Sequence, residues 1–218
     1  MKKILYIFTL TLLFIPIVKA EDITPNAKSA ILIEASSGKV LYEKNIDEKS
    51  APASMTKMMS LLIFMENIDN GNLKMDEVIR VSKHAASMGG SQIFLQENEE
   101  MKVVDLLKGI SIGSANDATV ALAERISGTE EEFVNLMNKK AKELGLKNTN
   151  FKNSTGLDIA NHYSTVYDMS VIARELVKHE KILEFSSIYE TYLRENTDNK
   201  FWLVNTNKFI FKFYNNYT

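Results

Sequence analysis

Cysteine is missing from all 218 residues, which excludes a disulfide framework, a thiolate metal site and a cysteine nucleophile. Histidine is scarce. His84, His162 and His179 show no ligand spacing such as His-x-x-x-His, so each reads as a surface or capping residue, and no metal or cofactor is expected. An excess of positive charge is lacking as well. A net charge of −2 and a pI near 6.0 argue against a nucleic-acid partner. Internal repeats, low-complexity tracts and linkers are absent. With 45% apolar content, the chain can bury a sizeable core as one domain, in one or two lobes.

Lys2 and Lys3 precede an apolar stretch from Ile4 to Val18, and Val18-Lys19-Ala20 places small residues at the two positions a signal peptidase reads. Residues 1–20 therefore read as a secretory signal peptide with an apolar region of roughly fifteen residues. The alternative is a membrane anchor, but the run falls short of the roughly 20 residues needed to span a bilayer and contains Pro16. No later segment is long and apolar enough to span. The expected mature chain, 21–218, works outside the cytoplasmic membrane, in the periplasm or cell wall or secreted.

Ala30–Glu34 and Lys39–Glu43 are β-rich runs separated by Ala35-Ser36-Ser37-Gly38, a hairpin signal. Pro52 breaks the chain before Ser54. From Ser54 to Asn70 the residues Met55, Met58, Met59, Leu61–Met65 and Ile68 leave almost no polar face, which predicts a helix in the middle of a globule, ended by Asn70-Gly71. A helix ends near Ile112, and another covers 117–127 with Gly128 as its stop. Thr129 and Glu132 form a capping box, and Phe133, Leu136, Met137, Ala141 and Leu144 form the inner stripe of the helix that follows, closed by a left-handed cap at Gly145. Asn153–Gly156 reads as a turn. Ser164 is expected to cap a helix through Val177, with Val166, Met169, Ala173 and Leu176 inward. Residues 191–193 and 201–204 read as strands expected to complete the sheet begun by the first hairpin, with the helices packed against and beside it.

Ser54-Met55-Thr56-Lys57 carries the chemistry. Ser-x-x-Lys alone is weak evidence, since roughly one chance match is expected in a chain this long. Ser36-Ser37-Gly38-Lys39 is such a match, lying in the hairpin turn. Ser54 differs in context. On a helix, residues three apart share a face, so the Lys57 amine can lie beside the Ser54 hydroxyl, and free N–H groups at the helix start favour an oxyanion. A serine is a poor nucleophile until a base removes its proton. Lys57 is the candidate base, because burial lowers a lysine pKa toward the required neutral amine. The plainer reading is an N-cap and a surface lysine. Ser114-Ala115-Asn116, the single Ser-x-Asn of the chain, sits between two helices, where Ser114 could relay a proton and Asn116 could bond a substrate carbonyl. Its plainer reading is a capping turn.

Pro52-Ala53-Ser54-Met55-Thr56-Lys57 and Ser114-Ala115-Asn116-Asp117-Ala118 resemble the first two motifs of the serine D-alanyl-D-alanine carboxypeptidases, the small penicillin-binding proteins of bacterial cell-wall maintenance. Gly90–Leu95, Asn153–Leu157 and His162–Thr165 resemble further family segments in the right order, and the resemblance runs from about Ile23 onward. It implies an α+β, β-lactamase/transpeptidase-like fold, a helical lobe beside an antiparallel sheet. It further implies a Ser54 acyl-enzyme, Lys57 as base, Ser114 as proton shuttle and Asn116 as a substrate-binding residue. The implied reaction removes the terminal D-alanine from peptidoglycan stem peptides, with β-lactams as suicide substrates.

The family's third motif, a Lys-Thr-Gly strand that helps form the oxyanion hole and grips the substrate carboxylate, does not occur; Ser154-Thr155-Gly156 lacks the preceding lysine. Residues 21–218 are therefore expected to be the N-terminal part of the peptidase domain, without its C-terminal strands and helix and with weak or lost activity. Removal of one oxyanion donor typically costs about 10²–10³-fold in rate. A non-catalytic cell-envelope fragment is the alternative. A serine β-lactamase is a second, disfavoured because no Glu-x-x-Leu-Asn follows Ser114.

Overall fold

The computed structural model describes residues 22–210. The elements run β1 (Ala30–Ile33), β2 (Val40–Lys44), a 3₁₀ turn (Ala53–Thr56), α1 (Lys57–Asp69), β3 (Val78–Arg80) and α2 (Lys83–Ala86). They continue with β4 (Glu100–Lys102), α3 (Val103–Gly113), α4 (Asn116–Ser127), α5 (Glu130–Glu143), α6 (Val166–Leu176), α7 (Glu180–Ser187), β5 (Glu190–Leu193) and β6 (Phe201–Val204). The class is α+β, as expected. The signal-peptide reading of residues 1–20 lies outside the described residues.

α1 is the axis of the globule. Met59 and every residue from Leu61 to Met65 are buried, because successive apolar side chains leave no face for water. Its Phe64 ring lies 5.3 Å from Phe133 of α5, and α1 also contacts α4, α6 and α7. Burying an aromatic side chain of this kind contributes about 1.5–3 kcal/mol. Asn70 caps the helix and Gly71, at φ 75°, turns the chain away. Met55, counted with this apolar set in the sequence, stays 47% exposed because it belongs to the turn before the helix.

The local punctuation is visible in the bonds. Thr129 Oγ1 accepts from Glu132 N–H at 3.1 Å. α5 ends with Leu146 N–H donating to Ala141 O at 2.9 Å around Gly145 at φ 74°, the 6→1 bond of a left-handed cap. α6 is capped one residue later than expected. Thr165 Oγ1 accepts from Asp168 N–H at 3.1 Å, while Ser164 is buried and bonds Thr149 and the Ser50 backbone.

The expected single sheet is not formed. β1–β2, β3–β4 and β5–β6 are three separate antiparallel pairs among the described residues. β1 leans on α6, where Arg174 donates to the carbonyls of Ala35 and Ser36 at 2.9 and 3.0 Å. The β5–β6 hairpin buries Leu193 and Leu203 and packs on α3 instead. Thr206 N–H donates to Ile112 O at 3.1 Å, and Arg194 reaches Ile93 O at 2.9 Å and Glu99 at 2.5 Å. Its apolar residues are thus buried against α3 rather than against the first hairpin. β3, β4, α2 and α7 carry too short an alternation or period to be legible in sequence.

Candidate active site

Ser54 lies in the 3₁₀ turn rather than in the first turn of α1, and Lys57 is the first residue of α1. In a 3₁₀ turn residues three apart eclipse one another. Lys57 Nζ accordingly stands 3.3 Å from Ser54 Oγ, with Ser54 exposed and Lys57 only 3% exposed. The amine donates at 2.8 Å to the carbonyl of Thr155. Burial pushes the Lys57 pKa down to about 8, against its ordinary 10.5. An accessible hydroxyl therefore faces a lysine that sheds its proton near pH 8, well below its ordinary range. The other Ser-x-x-Lys match stays in an exposed hairpin turn, where Ser37 bonds Glu34.

Ala53 precedes the serine at φ 47°, a left-handed conformation that a non-glycine residue adopts at a cost of about 1–2 kcal/mol. What holds it is the loop 153–157. Gly156, at φ 86°, lies so close that a Cβ there would overlap the Ala53 carbonyl and come 3.0 Å from Thr56 Oγ1. Asn153 builds the turn, its Oδ1 accepting from Gly156 N–H at 2.7 Å. Glu130 fastens it to α5, accepting from Ser154 N–H at 2.9 Å and Ser154 Oγ at 2.7 Å. Burial raises the Glu130 pKa, but the bonds from Ser154 and His84 outweigh it, and the carboxyl lies below its ordinary value.

Ser114 caps α3 in a left-handed conformation, φ 58° and ψ 35°. Asn116 opens α4 and is 4% exposed; its Nδ2 donates to Gly89 O at 2.6 Å and its N–H to Ser91 O at 2.7 Å. The neighbouring Asp117 carboxylate accepts from Ile93 and Leu95 N–H at 3.2 and 3.0 Å. The start of α4 thus shapes the segment 89–95. A Cβ on Gly90 would come 2.8 Å from Asn116 Nδ2 and 3.6 Å from Leu157 Cδ2, which ties this segment to the loop that supplies the Lys57 acceptor. The two motifs are thus connected indirectly, through the segments 89–91 and 153–157.

Three contributors escaped sequence reasoning. The Thr155 acceptor is a backbone carbonyl and leaves no signal. Gly156 was legible only as a turn residue. His162 is neither at the surface nor a cap: it is 6% exposed, with Nε2 2.8 Å from Thr56 Oγ1. By contrast His84 pairs with Glu130 and His179 with Asp69 near the surface. No group of three or more acidic, histidine or cysteine side chains that could hold a metal is found among the described residues.

Comparison with known proteins follows the same lines. The D-alanyl-D-alanine carboxypeptidase family model matches residues 17–218. The D-alanyl-D-alanine carboxypeptidase DacF of Bacillus subtilis is 62% identical over 196 residues, 90% of this chain and 50% of that protein. Penicillin-binding protein 5 of Haemophilus influenzae superposes with a TM-score of 0.82 at 32% identity, over 89% of this chain and 56% of that one. Penicillin-binding protein D2 of Listeria monocytogenes, in its ampicillin-bound form, superposes with a TM-score of 0.74 at 28% identity, over 87% of this chain and 76% of that one. The chain spans about half the length of the curated relatives it matches. A hydroxyl and a buried amine set together at the head of a central helix, in a chain matched along nearly all its length, mark it as a member of the D-alanyl-D-alanine carboxypeptidase family.

Proposed function

We propose that this chain carries the acylation machinery of a serine D-alanyl-D-alanine carboxypeptidase acting on peptidoglycan stem peptides. Ser54 Oγ attacks the carbonyl carbon of the penultimate D-alanine. Lys57 Nζ takes the hydroxyl proton, the Oγ–C bond forms, and the amide C–N bond breaks as terminal D-alanine leaves with a proton relayed through Ser114. Water then hydrolyses the Ser54 ester. Asn116 spends one amide hydrogen on Gly89 and has a second for a substrate carbonyl. β-Lactams acylate the same serine and remain attached, because their leaving nitrogen stays tethered in the opened ring.

The observation that carries this reading is the 3.3 Å approach of Lys57 Nζ to Ser54 Oγ, with the amine buried. Residues 1–20 act as the export signal and 21–218 belong to the peptidase domain, placing the site outside the cytoplasmic membrane. No helix among the described residues is long and apolar enough to cross a membrane.

A fluorescent penicillin tests the proposal. A stable adduct on the chain that disappears in Ser54→Ala and Lys57→Met supports it. Rapid release of hydrolysed drug would assign a β-lactamase, and an unlabelled chain the non-catalytic alternative. Release of D-alanine from a stem peptide, measured in parallel, reads turnover.

A further inference from the structure

His162 has no place in the acylation scheme, yet it is buried beside it. Its ring bridges two segments. Nε2 lies 2.8 Å from Thr56 Oγ1, inside the nucleophile turn, and Nδ1 accepts from Lys152 N–H at 3.1 Å. Phe151 holds the ring edge-on, with centroids 5.8 Å apart. Lys152 begins the stretch leading to Thr155, the acceptor of the Lys57 amine, and Thr56 lies between Ser54 and Lys57 in the chain. These bonds fix the proton. An Nδ1 that accepts an N–H carries no hydrogen, so in the neutral ring the hydrogen is on Nε2 and is donated to Thr56.

We propose that His162 is a positioning residue for acylation: its neutral, Nε2-protonated imidazole cross-links the nucleophile turn to the loop that carries the Thr155 carbonyl. This rests on the reading of Ser54 and Lys57 as nucleophile and base. Lys57 has two partners, Thr155 O at 2.8 Å and Ser54 Oγ at 3.3 Å, on two different segments. Whatever sets the spacing of those segments sets whether the amine is shielded and aimed at the hydroxyl. Glu130 and Asn153 fasten the far side of the loop; His162 fastens the side facing Thr56. Protonation would put a hydrogen on Nδ1 against the Lys152 N–H and open the brace. Burial works against that proton and the Asp158 carboxylate for it, and the net displacement is downward, so the brace is neutral at pH 7.

The experiment compares the chain with His162→Phe, which keeps a ring but neither bond, and Thr56→Val, which removes only the acceptor. Three quantities are read: the tautomer from histidine ring ¹⁵N spectra, the Lys57 titration from ¹³C-labelled lysine assigned with Lys57→Met, and the rate of penicillin labelling. The expected result is an Nε2-protonated His162 in the parent chain. Both variants should move the Lys57 titration upward from about 8 toward 10.5 as water reaches the amine, and should slow labelling by about 10²-fold, the cost of a misplacement near 1 Å. An Nδ1-protonated ring, or an unmoved Lys57 titration in either folded variant, overturns the inference. A histidine that only stabilised the fold would lower the melting temperature and leave that titration in place. Should the parent chain take no penicillin, the functional reading fails, while tautomer and titration still decide the role of His162.

Discussion

Burying Lys57 costs stability, and the cost has a pH signature. Its pKa is about 8 in the fold and 10.5 ordinarily, so between those values the unfolded chain binds a proton that the folded chain has released. Stability therefore rises with pH across that window, and the penalty is present in full below pH 8. At about 1.4 kcal/mol per pH unit it amounts to roughly 3 kcal/mol. Lys57→Met is expected to unfold at higher urea concentration than the parent at pH 7, and to lack this rise from pH 8 to 10.5. An unchanged slope would show that the amine is hydrated. Gly156→Ala tests the adjoining contact. A methyl group overlapping the Ala53 carbonyl at a left-handed φ should cost about 3 kcal/mol in urea unfolding and move the neighbouring Thr155 acceptor.

Among the elements, the join between the 3₁₀ turn and α1 does what neither does alone. The turn eclipses Ser54 and Lys57, and α1, buried on nearly every side, anchors the lysine. The apolar run from Met58 to Ile68 announced that helix, whereas the tighter turn before it had no signature beyond Pro52. α6 shows the reverse. Its inward residues were legible, but of the adjacent Ser164 and Thr165 the structure uses Thr165 as the cap, because Ser164 is drawn into a backbone bridge with Ser50. Thr165→Ala should cost about 1 kcal/mol and Thr165→Ser much less, measured by denaturant midpoints.

Across the whole molecule, acid loosens the contacts around the site in two steps. His162 has a lowered pKa, so as pH falls below its ordinary 6.5 the unfolded chain takes up a proton first and stability declines until the folded value is passed. Glu130 is also lowered, so its contribution is present above its ordinary 4.5 and is lost as pH falls through the folded value. Urea midpoints against pH should show both steps in the parent. His162→Phe is expected to remove the upper step and Glu130→Gln to shrink the lower, which the lowered Glu77 and Asp22 carboxyls share; retention of the upper step in His162→Phe would place that titration elsewhere.

By itself the sequence determined the helical periods, the caps at Thr129 and Gly145, the two outer hairpins and the Ser54–Lys57 pair, because each depends on residues within a few positions of one another. Only the tertiary structure decided that the hairpins stand apart, that Thr155 supplies the acceptor for Lys57 and that His162 lies within bonding distance of Thr56. Those partners lie about a hundred positions apart in the chain, and one of them is a backbone carbonyl that every residue possesses. Local patterns cannot encode such a meeting; packing around α1 brings it about.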